Sequence, residues 1–543
     1  MPIDRMINTT KRSLVAWFGS PIPRVGRDAF VDRGFVVAET PCTSADLSTP
    51  GFVDALAAVI FVQDVNNPTA IAPELRLHAL PLLDSDCRVI VQTADNNGFR
   101  IIGRTLANLK APQQGLRFDN KSDSPAKQSL PHVLVYMSEV PWSKVANAVL
   151  EHQPGPPPNR TLRIDPPDVM SEWETGLETL VRRAFWDCSE VFLVPQNEGR
   201  SKLRVYLAYP EIRDKQNGAS FPLPYFIKIG AREDVFEEYV HYQDNVDPYI
   251  PFNLGPHLVF ERCGLGGLYG MIVGDFVEGS ESLAHCAGTG RGSPAIACLF
   301  SRTLVGWYRA AETHEVSVTP GTNGNRFGQF PRVHHDDTES WQGRLRIVRQ
   351  LGGTKELHEL AAIFDKFRPN SILVGPIHGD LHAGNVRVRA NDAIVIDFAS
   401  HRRQPLVFDP ASLEADLLVR GFVDSKRSSS DKEQDPLENA RGWMETVKSL
   451  YDKDPFEGLH SHPNPKNPSC WFHACVREIR AYARQVQSGP DQYAVALARA
   501  LIFKATRDFG EPSPEGMRRA AAYVFAERVL AHSIKPSQSG TAK

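Results

Sequence analysis

The chain lacks the features that would assign it most directly. Its 543 residues contain no apolar run approaching the length of a membrane span, so no membrane is expected as a partner. Charge of neither sign is in surplus, with 61 basic against 64 acidic residues. That balance offers no basic field for nucleic acid and no acidic solvating tail. The cysteines Cys42, Cys87, Cys188, Cys263, Cys286, Cys298, Cys470 and Cys475 are scattered and form no dense disulfide framework. Several sit in apolar segments that suit a buried reduced thiol, and a reducing cytoplasm is the expected compartment. Lys11 and Arg12 precede "SLVAWFG", but this apolar run is short and passes into "SPIP" without a small-residue cleavage pattern. It is not read as a signal peptide. No repeat at solenoid periods is present. Apolar residues at 42% and charged residues at 23% describe an ordinary soluble globular chain, long enough for roughly two to four domains.

What is present begins with a strand–helix alternation over residues 1–152. "SLVAWFG", "GFVVAE", "LAAVIFVQD", "CRVIVQTAD" and "HVLVYMSE" are apolar runs rich in Val and Ile, as strands covered on both faces require. Helical spacing lies between some of them, as in "PELRLHALPLL". A Rossmann-like parallel sheet flanked by helices is expected, with any ligand at the carboxyl ends of the strands. Those ends carry Asp64, Thr93 and Ser138. The order resembles a response-regulator receiver, which would put Asp64 at the phosphoacceptor position and Thr93 at the switch position. The acidic pair such a site needs after the first strand is "GSP" here, and the last core strand ends in "MSE" without a lysine. A degenerate receiver-like or other Rossmann-like interaction module is expected, its strand-end side chains serving as caps and its surface open to a protein partner.

"QPGPPPN" (153–159) cannot form a helix or a central strand and opens a proline-rich linker over 153–170. The following unit, 171–275, reads as a helix leading into strands "EVFLVPQ", "LRVYLAYP", "PYFIKIG", "HLVFER" and "LYGMIVGDFV". The helix "REDVFEEYVHYQDNV" follows the third of them. Residues 276–535 turn helical, in "PAIACLFSRTLVGWYRAAE", "ELHELAAIFDKF", "WFHACVREIRAYARQV" and "QYAVALARALIFKATRD". Residues 536–543 form a polar tail expected to be disordered.

The chemistry is concentrated in "IHGDLHAGNVRVRANDAIVIDFAS" (377–400). Asp380 and Asn385 sit in a glycine-containing loop between the strand-like "SILVGPI" and "VRVRA", and "AIVIDFA" presents Asp397 at the end of a short strand. Two carboxylates and an amide make an oxygen-rich set suited to Mg²⁺, which keeps substrate phosphates in its shell.

These residues resemble the aminoglycoside phosphotransferase and choline kinase branch of the protein-kinase-like fold. The resemblance spans roughly 171–535 and is strongest over 374–418; within it, the bacterial ternary-complex-associated kinase-like branch is most similar. It implies a bilobal kinase-like fold, an N-lobe to 275 and a helical C-lobe from 276, using ATP and Mg²⁺. By position, Asp380 would act on the attacking hydroxyl, Asn385 and Asp397 would hold the metal, and His378 and Asp409 would steady the loop. Lys228 in "PYFIKIG" would meet the phosphates, paired with a helix glutamate. Val235, Glu238 and Tyr242 share a helical face, so Glu238 is expected to point inward and Glu237 outward. Gly199 and Ser201 would cover the phosphates, in a loop with fewer glycines than the family usually shows. Backbone groups near Phe276 and Val277 would bind adenine.

The expected activity is transfer of the γ-phosphoryl group to a hydroxyl of a small-molecule acceptor, less readily a protein, since no long activation segment follows Asp397. The alternatives are a nucleotide-binding pseudokinase signalling through the N-terminal domain and an enzyme that transfers the nucleotide. His382 receives a packing or hydrogen-bonding role. "HSHPNPKNPSCWFHAC" and "VHHDD" are discounted as metal sites, and "GLGGLYG" (264–270) is read as a tight hairpin.

Overall fold

The computed structural model describes residues 12–116, 132–152, 154–167, 173–196, 203–214, 218–315, 330–333, 338–367, 369–398, 400–421, 435–457, 469–507 and 514–533. They form two compact units, Met1–Val240 with His257–Phe276, and His241–Pro256 with Val277–Lys543.

The first unit contains two sheets. The strands β1 (Leu14–Gly19), β2 (Val36–Val37), β3 (Leu56–Val62), β4 (Arg88–Thr93), β5 (Gln113–Leu116) and β6 (Val133–Met137) pair in parallel in the order β2-β1-β3-β4-β6-β5. Every residue of β3 and β4 is buried. Strand alternation sends Val59 and Phe61 to a core shared with α2 (Ala72–Asp84) and α3 (Asn96–Asn108), while Ala58 and Ile60 join α1 (Arg24–Val31) and α4 (Trp142–Glu151) on the other face. The expected parallel sheet is therefore present. Its second strand is only two residues long, and β5, an edge strand of sequence "QQGL", carries no apolar run to reveal it.

The second sheet is mostly antiparallel, in the order β12-β13-β11-β9-β8-β7, with β10 on β9. Its strands are β7 (Arg163–Asp165), β8 (Glu190–Pro195), β9 (Arg204–Asp214), β10 (Gly218–Ser220), β11 (Tyr225–Ala231), β12 (Gly264–Leu265) and β13 (Tyr269–Asp275). Two expectations are corrected here. Residues 163–165 of the linker pair in parallel with β8 as an edge strand. "HLVFER" is not a strand: only Leu258 bridges to Gly274, and Phe260–Arg262 form a 3₁₀ turn.

The end of α2 ties the parallel sheet to this second sheet. Asp84 Oδ1 accepts the Gly267 N–H at 2.8 Å, and the Asp84 carbonyl accepts Arg183 Nη1 of α5 (Thr175–Ala184) at 2.9 Å. Asp86 Oδ2 accepts the Gly155 N–H at 2.7 Å and faces Arg183 Nη2 at 3.1 Å. "GLGGLYG" is the β12–β13 hairpin, and its glycines answer this approach: a Cβ at Gly266 would lie 2.4 Å from Asp84 Oδ1, and one at Gly267 2.7 Å from Leu80 Cδ2.

The second unit carries two small sheets, β14-β17-β18 and β15-β16-β19. These are β14 (Glu281–Ser282), β15 (Glu312–Glu315), β16 (Ser371–Ile377), β17 (Val386–Arg389), β18 (Asp392–Val395) and β19 (Arg402–Pro405). α6 (Arg232–Asn245) runs from the first unit into this one. Among the helices of this unit, α7 (Phe408–Arg420), α8 (Cys470–Val486), α9 (Gln492–Ala505) and α10 (Pro514–Ser533) pack together in a bundle. Glu414 of α7 and Arg480 of α8 form a bidentate pair at 2.6 and 3.0 Å inside this bundle, and the Tyr493 hydroxyl donates to Glu414 at 2.6 Å. "PAIACLFSRTLVGWYRAAE" is not one helix: it breaks into helix Gly292–Cys298, π-turn Leu299–Thr303 and helix Val305–Arg309. No described helix is long and apolar enough to cross a membrane, and all eight cysteines are free thiols.

Candidate active site

β16 ends at Ile377 and delivers a loop whose backbone is held from beneath. Asp409, in the first turn of α7, accepts the N–H groups of His378 at 2.7 Å and Gly379 at 3.1 Å. Burial raises the Asp409 carboxyl above its usual range, against the opposing pull of His378 and of the two backbone donors. His378 is wholly buried, its Nε2 3.0 Å from the Ile396 carbonyl and its ring 5.4 Å from that of Phe398. Gly379 adopts φ +81°, and a Cβ there would stand 2.2 Å from the Ser400 carbonyl oxygen. The position accepts glycine alone.

Asp380 follows and is exposed, while Asn385 is buried. Asn385 Nδ2 donates to the Asp380 carbonyl at 3.1 Å, which fixes the amide and leaves Oδ1 as its outward acceptor. The Ile396 N–H donates to the Asn385 carbonyl at 2.9 Å, so the loop is stitched to the chain just before Asp397. Asp397 lies two residues past β18 in the left-handed region, φ +68°. Strain of this kind in a carboxylate-bearing residue concentrates at functional positions. The donor set is all oxygen, two carboxylates and an oriented amide carbonyl, and its chemistry fits a hard cation such as Mg²⁺. Among the described residues no group of three or more His, Cys, Asp or Glu side chains is placed to hold a metal; the set here relies on the amide.

Lys228 and the loop lie in different units. Lys228 is in β11, opposite Ile272 of β13 and Val205 of β9, and is buried. Its Nζ lies 2.5 Å from Glu238 Oε1 of α6. Glu238 and Val235 are buried and Glu237 is exposed. Where the units join, the Phe276 N–H donates to the Pro224 carbonyl at 3.1 Å, and the Val277 carbonyl accepts the Ser280 hydroxyl at 2.6 Å. Gly199 and Ser201 lie outside the described residues.

The sequence reading missed a second carboxylate. Asp416 stands seven residues beyond Asp409 on the same face of α7, and its Oδ2 accepts the Ala383 N–H at 3.0 Å. It also accepts Arg420 Nε at 2.7 Å and Lys504 Nζ of α9 at 2.7 Å. Those cations hold its carboxyl well below the usual range against the opposing effect of burial. The i, i+7 spacing in "DPASLEAD" was the available signal. The discounted histidine–cysteine array offers no such convergence in its described part: His473 Nε2 bonds the Thr446 carbonyl at 3.1 Å and Cys475 is buried in α8.

In the N-terminal sheet the strand-end groups satisfy one another. Thr93 is fully buried and its hydroxyl donates to the Tyr136 carbonyl at 3.1 Å; the Ser138 hydroxyl donates to the Ala94 carbonyl at 3.0 Å. Asp64 Oδ1 accepts the Asn66 N–H at 2.8 Å in a local turn. These are capping contacts.

Residues 263–427, the segment bearing Asp380, Asn385, Asp397 and Asp409, match the model of a family described as the phosphotransferase enzyme family, APH. No curated protein matches the chain. Among solved structures, it is similar to the amicoumacin kinase hAmiN in complex with AMP-PNP, Ca²⁺ and Ami, at 14% identity over 62% of this chain and 88% of that one, TM-score 0.31. A thermostable mutant of aminoglycoside phosphotransferase APH(4)-Ia aligns at 11% identity over 62% and 94%, TM-score 0.32. Choline kinase from Cryptosporidium parvum Iowa II aligns at 9% over 63% and 89%, TM-score 0.29. At such scores the superpositions carry no weight.

Proposed function

We propose that this chain, matched by the phosphotransferase family over 263–427, moves the γ-phosphoryl group of ATP to a hydroxyl of a small-molecule acceptor. Asp380 is the catalytic residue. It takes the acceptor's hydroxyl proton as the new O–P bond forms and the bond from the γ-phosphorus to the ADP oxygen breaks. Asn385 and Asp397 hold Mg²⁺, which neutralises phosphate charge. Lys228 binds the phosphates and Glu238 keeps its ammonium in place. Gly199 and Ser201 cover the phosphates, and backbone groups at Phe276 and Val277 take the adenine.

The observation that carries this reading is the loop held by Asp409 at His378 and Gly379, with Asn385 oriented on the Asp380 carbonyl. A loop fixed at both ends presents an exposed carboxylate at little reorganisation cost, which is what catalysis by positioning demands. The acceptor pocket belongs to the helices after residue 280, and a protein partner is assigned to the N-terminal domain.

The test is a screen of metabolite extracts with γ-labelled ATP, products identified by mass spectrometry, using wild type and Asp380→Ala. Phosphate transfer abolished in Asp380→Ala is expected. Adenylate addition would replace this reading with nucleotide transfer, and ATP-dependent thermal stabilisation without turnover would replace it with a nucleotide-binding pseudokinase.

A further inference from the structure

We propose that His382 is a positioning residue for Asp380, held by the Gly384 amide as the neutral Nε2–H tautomer with that proton turned toward the Asp380 carboxylate. The inference rests on the reading of Asp380 as the group that receives the acceptor's proton.

The geometry begins with the ring. The Gly384 N–H donates to His382 Nδ1 at 3.1 Å. A nitrogen that accepts cannot carry the proton of a neutral imidazole, so that proton sits on Nε2. His382 Nε2 lies 3.9 Å from Asp380 Oδ2, and among the described residues no other side chain comes within ion-pair reach of that carboxylate. The separation exceeds a direct hydrogen bond, but Asp380 is exposed and a small side-chain rotation closes it; hydrogen bonds of this kind tighten when substrate arrives. With Oδ2 engaged, Oδ1 faces the acceptor.

The turn is built to permit this placement. A Cβ at Gly384 would stand 3.0 Å from both Cε1 and Nδ1 of His382, so glycine leaves the ring room to lie over the loop without a shift. The backbone on either side is anchored: the Ala383 N–H to Asp416, and the Asn385 N–H to the His382 carbonyl at 2.9 Å. The charged groups facing the ring are Asp416 and Arg420 from α7, Lys504 from α9 and Asp380 from its own loop. A neutral donor orients Asp380 without neutralising it. An imidazolium would do the opposite, stabilising the carboxylate and weakening it as a base.

Two measurements on the full chain test this. Histidine ¹⁵N spectra, with His382→Gln as the difference control, are expected to show a neutral Nε2–H ring at neutral pH; an Nδ1–H or doubly protonated ring overturns the proposal. Hydrolysis of γ-labelled ATP, with water as acceptor, supplies the kinetic arm. His382→Phe is expected to lower kcat roughly tenfold to a hundredfold, as loss of orientation does, with KM for ATP unchanged. His382→Gln, which restores a donor, should recover much of it. Equal losses in Phe and Gln variants, or turnover that His382→Phe leaves intact, overturn the role of His382 alone. A wild-type chain that moves phosphate neither to water nor to any acceptor in the metabolite extracts overturns the phosphotransfer reading, and this role with it.

Discussion

Lys228 Nζ lies 2.5 Å from Glu238 Oε1, joining strand β11 to helix α6 at a contact where both side chains are buried. Removing one member leaves the other's charge stranded, a change that costs about 3 kcal/mol or more. Glu238→Ala should therefore lower unfolding stability by that order. Glu237→Ala, on the exposed side of the same helix, should stay within about 0.5 kcal/mol. Urea unfolding of both variants checks the pair, and the reverse order would contradict the helix phase.

Lys228→Met separates stability from function. Met matches the stem of lysine in length but carries no charge to meet the phosphates. ATP affinity should fall at least about tenfold, the equivalent of 1.4 kcal/mol. Titration calorimetry with ATP and Mg²⁺ reads this directly. Unchanged affinity would remove Lys228 from the nucleotide site.

Gly379→Ala tests the loop without touching any titratable group. The backbone there is left-handed, and the new methyl carbon would meet the Ser400 carbonyl oxygen at 2.2 Å. Neither contact is a flexible side-chain tip, so the loop must move. Turnover should be lost in a chain whose circular dichroism remains that of the wild type.

Lys504→Met probes the second carboxylate. Asp416 has its pKa depressed in the folded chain, so its contribution to stability is full above the ordinary carboxylate pKa and is lost as pH falls through the depressed value. Removing Lys504 raises that folded value, because one of its two paired cations is gone and burial then counts for more. At neutral pH the variant should be less stable. The deficit should shrink as pH falls through the variant's folded value, since protonation of the unfolded carboxyl is common to both chains and cancels. Denaturant unfolding across pH values checks both statements.

The loop from His378 to Asn385 was legible as a loop between strands because its side chains are spelled out within one short stretch and its flanking strands are apolar. Glu238 was legible for a different reason: helical periodicity alone separates it from Glu237. Asp416 was harder, since its partner is a backbone N–H at Ala383, and backbone partners leave no trace in composition. β5 and β7 escaped because they are short edge strands without a run of apolar residues to mark them. "PAIACLFSRTLVGWYRAAE" has helical spacing throughout, yet its π-turn carries Thr303, whose hydroxyl donates to the Ala393 carbonyl at 2.6 Å. A tertiary hydrogen bond of that kind overrides local periodicity.

Asp84 gives the joint between the two sheets of the first unit a pH dependence whose sign can be worked out. Burial pushes its carboxyl up to about 6, although the Gly267 N–H, Arg183 and Arg232 all favour ionisation. The folded chain thus holds this proton more tightly than the unfolded one, whose carboxyl titrates near the ordinary value of about 4. Between those values the folded state carries more protons, so stability falls as pH rises, and the full penalty is present above about 6. Asp84→Asn removes the titration but keeps an oxygen to accept from Gly267. Relative to wild type, the variant should therefore gain stability as pH rises from about 4 to about 6, then hold a constant advantage. Urea unfolding of both chains across that range reads the difference. A difference that stays flat with pH would mean that Arg183 and Arg232 keep Asp84 ionised throughout. The hairpin would then be fastened by a permanent charge contact, not by a carboxyl that protonates.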